Sequence, residues 1–84
     1  MWTGVQFTGT VAANATQKWV TSNWNPAQHV VWYVVPTTPV AASQQVEWSV
    51  EVARAGAGAV TYWISVKNLT ASAVTLEGRF AVLN

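Results

Sequence analysis

Apolar side chains in this chain recur by two, and nowhere do they recur at three, four and seven over a helical length. Successive side chains of an extended strand point to opposite faces, so a period of two marks strands with one buried face. The pattern excludes helical bundles and the alternating strand–helix architectures. Thr and Val abound while Leu, Lys and Glu are scarce, which is the composition of a pleated sheet.

Six such segments can be traced, with turn chemistry between them. The first runs from about Trp2 to Val11, with Val5, Phe7, Gly9 and Val11 on one face and Gln6, Thr8 and Thr10 on the other. A small polar turn centred on Asn14 leads to a second strand over about Gln17 to Trp24. Asn25-Pro26-Ala27-Gln28 is the clearest turn, with Asn at its first position and Pro preset for its second. The third strand, His29 to Val35, is apolar on both faces and is expected to be covered on both sides. Pro36 ends it, and Thr37 to Gln44 is long enough to cross between two sheets.

The last three strands alternate most cleanly. Val46, Trp48, Val50 and Val52 oppose Glu47, Ser49 and Glu51. Ala55 to Ala59 reads as a hairpin tip, after which Val60, Tyr62, Ile64 and Val66 oppose Thr61, Trp63, Ser65 and Lys67. A turn over Lys67 to Ser72 leads to a strand in which Val74, Leu76, Phe80 and Val82 share a face with Gly78. A glycine there marks a bulge or makes room for a large ring. The expected fold is all-β: a single domain over residues 1–84, an antiparallel six-stranded β-sandwich or small barrel.

At 84 residues the chain has room for one core. With 51% hydrophobic residues it is not disordered, and with no Cys it is neither a disulfide scaffold nor a Cys-ligated zinc module. A net charge of +1 provides no electrostatic footprint for nucleic acid. The longest apolar run, Val30 to Val35, is far short of a membrane helix. No basic and apolar leader follows Met1, so the expected location is cytoplasmic, or outside by a route without a classical leader. The Asn-x-Thr sequons at Asn14 and Asn68 read as turn chemistry.

Residue types for catalysis are few, and the chain is not expected to be an enzyme or to carry a metal or cofactor. His29 is the one histidine, and with neither Cys nor Asp a zinc site would have to rest on Glu. Glu47 and Glu51 lie four apart on a strand, about 13 Å along the chain, wider than the roughly 5–9.5 Å between glycosidase carboxyls. The simpler expectation is three Glu facing Lys67, Arg54 and Arg79 across strands as solvated pairs. Gly56 and Gly58 lack the Lys and helix start of a phosphate loop.

Six Trp are the unusual feature. Trp48 shares the inward face of its strand and is expected in the core. Trp63 has outward parity, beside Thr61, Ser65 and Lys67. Trp19 and Trp24 have opposite parity, so in a regular strand at least one of them stands outside the core. An exposed indole asks for a partner. A sugar ring can lay its C–H face on indole while amides and carboxylates take its hydroxyls. This points to a non-catalytic, lectin-like binding module with a carbohydrate site at Trp19, Trp24, Trp63, Asn23, Asn25 and Glu51. Only 8% of residues are charged, well below the usual solvated surface, so a homo-oligomer is expected as well. The alternatives are a self-assembling structural protein whose Trp bury between subunits and a membrane-interacting module, which lacks basic support.

Overall fold

A computed structural model describes residues 1–39 and 43–84. Six strands follow one another: β1 (Trp2–Val11), β2 (Thr16–Trp24), β3 (Val30–Pro36), β4 (Val46–Gly56), β5 (Ala59–Asn68) and β6 (Val74–Val82). They form two three-stranded sheets, β1-β6-β3 and β2-β5-β4, in which every neighbouring pair is antiparallel. The all-β antiparallel expectation therefore holds, and the fold is the sandwich rather than the closed barrel. Only β4 and β5 form a hairpin; every other connection passes from one sheet to the other. The connection after Pro36 makes such a crossing, as its length suggested, although its residues 40–42 lie outside the described residues.

The two central strands are β6 and β5, which have the cleanest alternation. Val74, Leu76, Phe80 and Val82 on β6 and Val60, Ile64 and Val66 on β5 are buried, and Val11, Trp32 and Val34 complete the core. The turns follow their residue chemistry. The Gln28 amide donates to the Asn25 carbonyl at 3.0 Å, and the Asn25 side-chain oxygen accepts from the Ala27 amide at 2.9 Å. Asn14 takes a left-handed φ of 58°, a conformation Asn tolerates, in a turn closed by the Ala15 amide on the Ala12 carbonyl.

Two irregularities change which side chains face inward. In β1 the register with β6 shifts between Val5 and Phe7, so Gly4 and Phe7 both face the core side and Val5 is turned out to solvent. In β2 the register with β5 shifts between Thr21 and Trp24, where Asn23 has a φ of 68°. The shift cancels the parity difference, and Trp19 and Trp24 both pack against the core. The two bulges meet: Gln6 Nε2 and Trp24 Nε1 both donate to Thr21 Oγ1, at 3.1 and 3.0 Å.

Glycines on the inner faces receive aromatic rings. A Cβ at Gly78 would overlap the Phe7 ring, so the glycine on β6 makes room for a Phe from β1. A Cβ at Gly9 would stand 2.5 Å from Trp19 Cζ2, and Phe7 and Trp19 stack with centroids 4.6 Å apart. Trp24 meets Trp32 and Phe80 edge to face, each at 5.3 Å.

Two expectations need correction. Trp48 has inward register, opposite Val66, but is 42% exposed, because β4 is the outer strand of its sheet and the facing sheet does not cover it. The third strand is covered on one side only. Trp32 and Val34 are buried, while Val31 is exposed and Tyr33 and Val35 are half-buried on the outer face.

Asn68 is fully buried and ties three segments together. Its Nδ2 donates to the carbonyls of Val11, Ala12 and Ser72 at 3.0, 3.2 and 2.8 Å, and its Oδ1 accepts from the Thr70 amide at 2.8 Å. The sequon at this position thus does the work of a turn. Asn68→Ala would leave these groups unpaired in the interior and should lower stability by about 2–4 kcal/mol in chemical denaturation. Gly78→Ala should cost about 1–3 kcal/mol by displacing the Phe7 ring.

Candidate functional site

The outer face of the β2-β5-β4 sheet carries the only tryptophan whose register turns it away from both inner faces. Trp63 lies on the central strand, opposite Val20 of β2 on one side and Glu51 of β4 on the other. Its own strand adds Thr61 and Ser65 to the same face. One cross-strand row along, Lys18 lies opposite Ser65, and Ser65 opposite Ser49. The next row is Thr16, Lys67 and Glu47.

Lys18 Nζ donates to Glu51 Oε1 at 3.0 Å, a diagonal ion pair that spans the sheet beside the indole. A shallow depression is lined by Lys18, Glu51, Val52 and Trp63, and a second by Thr16, Glu47, Trp48, Ser49, Ser65 and Lys67. Together they make one open face with an aromatic ring, an aliphatic neighbour in Val20, hydroxyls and paired charges. Its charged residues, Lys18, Glu47, Glu51 and Lys67, are all exposed.

Of the residues expected at a site, the structure brings together Trp63 and Glu51. Trp19 lies between the sheets, stacked on Phe7, and Trp24 lies there among Trp32, Tyr62 and Phe80. Asn23 and Asn25 are exposed beyond the β2 bulge, past the end of the Trp63 row, and the Asn25 side-chain oxygen is engaged by the turn. Lys18 and Val20 belong to the same face, although the expected site does not include them. Their signal was parity: with Trp19 directed inward, its neighbours on either side must point out.

The charges follow the simple expectation at one place, where Glu47 lies directly across from Lys67, and depart from it elsewhere. Glu51 takes Lys18 from the opposite edge strand, and Glu77 takes Arg79, two residues along its own strand, at 2.8 Å. Arg54 instead donates to the hairpin carbonyls of Gly56 and Ala57 at 3.3 and 3.1 Å. His29 is exposed just before β3 and its backbone amide donates to Asn84 Oδ1. Among the described residues no group of three or more His, Cys, Asp or Glu is placed to hold a metal ion.

Comparison with protein-family models, with curated proteins and with solved structures finds no match to this chain. The chemistry of the face therefore has to be read from its own residues. Both partners of the Lys18–Glu51 pair are more than half exposed, at 52% and 65%. A double-mutant cycle with Lys18→Ala and Glu51→Ala should return a coupling below about 1 kcal/mol that shrinks with added salt.

Proposed function

We propose that this domain is a non-catalytic binding module that holds carbohydrate on the outer face of the β2-β5-β4 sheet. The observation that carries the reading is the placement of Trp63, on the central strand, facing outward between Val20 and Glu51. The electron-rich face of an indole attracts the polarised C–H bonds on one side of a pyranose ring, and the stacking removes apolar area from water. Glu51 accepts from sugar hydroxyls, Lys18 donates to them, and the hydroxyls of Thr61 and Ser65 do either. The central strand of a hydrogen-bonded sheet also holds the platform rigid, which keeps the ordering cost of binding low.

A lipid surface fits less well. The exposed large apolar residues include Trp2, Val20, Val31 and Trp48, which belong to different strands and faces and form no single insertion surface. Self-assembly draws support from a separate observation, the uncovered apolar row of β4, and is compatible with ligand binding on the outer face.

A glycan array followed by calorimetric titration of the best responder tests the reading. Trp63→Ala should keep the wild-type circular dichroism and weaken binding by at least about tenfold, the loss of one stacking contact. A folded wild-type protein silent across the array, or a Trp63→Ala variant that binds as well as wild type, would overturn it.

A further inference from the structure

We propose that β4 is a self-pairing edge, and that two copies of this chain join antiparallel through it about a two-fold axis at Val50. This inference stands independently of the ligand assigned to Trp63.

The four edge strands are not equally protected. Natural edges are blunted by bulges, prolines and short length. β1 carries the bulge at Val5–Phe7, and β2 the one at Thr21–Trp24. Those two edges are also bridged to each other by the Gln6–Thr21 hydrogen bond and the Phe7–Trp19 stack. β3 has seven residues and ends in Pro36. β4 has no proline, and its one irregularity lies at the hairpin end, between Arg54 and Gly56; from Val46 to Arg54 it pairs with β5 without a register shift, which leaves that stretch of its other edge straight and unpaired among the described residues.

The side chains on this edge are apolar where the sandwich fails to cover them. Trp48 is 42%, Val50 39% and Val52 62% exposed. In an antiparallel pair with Val50 opposite its own copy, Trp48 faces the partner's Val52, and the row closes on itself. On the other face Ser49 meets the partner's Glu51, and Glu47 meets the partner's Ala53. Moving the axis by one residue, to Ser49 or Glu51, sets Glu47 against Glu51 or Glu51 against Glu51, and like charges directly opposite are destabilising. Charge therefore disfavours the neighbouring registers and permits this one.

The area sets the strength. A nine-residue strand is about 30 Å long, and the smallest dimension of the sandwich is 16 Å. Such a contact removes about 1,000 Å² in total, at the low end for a specific pair. The dimer is accordingly reversible and concentration-dependent.

Sedimentation equilibrium of the full chain across the micromolar range, with circular dichroism as a fold control, tests this. Wild type should show a monomer–dimer equilibrium. Val50→Lys, which sets two ammonium groups against each other on the axis, should be monomeric throughout. Ser49→Lys, which faces the partner's Glu51, should dimerise about three- to tenfold more tightly. Independently of any variant, protection of the β4 amides in hydrogen exchange should rise with wild-type concentration. A wild type that stays monomeric, a dimer that survives Val50→Lys, a Ser49→Lys dimer no tighter than wild type, or β4 amides indifferent to concentration would overturn the proposal.

Discussion

The contact on which the molecule depends is the interlock of aromatic rings with glycine slots between the two sheets. Every ladder of backbone hydrogen bonds lies within one sheet, so the sheets are joined by side-chain packing and by the loops that cross between them. Phe7 can lie flat on Trp19 because Gly78 and Gly9 leave the space that Cβ atoms would fill. Trp24, Trp32, Tyr62 and Phe80 continue the contact toward the other end of the sandwich. Rings of this size bury a large apolar area each, which is how so short a chain assembles a core without disulfides.

That interlock closes the sandwich unevenly. On the β1 and β2 side the ring stack and the Gln6–Thr21 bridge bring the edges together, and both bulges serve the junction. On the β3 and β4 side Val46 still packs against the core, but farther along β4 the same row is exposed. The uncovered row follows from the position of the aromatic contacts. The large rings that fill the interior come from β1, β2, β3, β5 and β6, and none comes from β4.

The alternation by two was enough to place the six strands, because most of them lay one face against the core and a period cannot slip without exposing it, while β4 keeps the alternation although its inward row is exposed. The same logic put Trp63 outward, since Tyr62 and Ile64 fix the parity of β5. It failed where the backbone breaks the period. A bulge adds a residue without any change in composition, so Trp19 and Trp24 were separated on paper and united in the core. The left-handed φ at Asn23 was a readable clue, for Asn is among the few residues that adopt it. Trp48 went astray for a different reason: inward parity says which face a side chain takes, but whether another sheet lies over that face depends on topology. Asn68 reads from the sequence as turn chemistry, and from the last position of β5 its side chain does accept from the Thr70 amide, but its full burial depends on the end of β1 and the segment leading into β6 arriving at the same point.

The low charge takes on a local meaning once the strands are placed. Most of the few charges are engaged, Lys18 with Glu51, Arg79 with Glu77 and Arg54 with its own hairpin carbonyls, and none points from the uncovered stretch Trp48 to Val52 on the inner side of β4. A lysine on that row would guard the edge at little cost to the fold, since the row is already exposed. Pairing through β4 would extend the β2-β5-β4 sheet into six continuous strands, with the two Trp63 faces on one side, three strand spacings or about 14 Å apart across the sheet. Two platforms held in one plane engage a polymeric ligand with far more avidity than one shallow face. An open site resting on a single indole is weak on its own, and an unguarded edge is the feature that would let the fold present it in pairs.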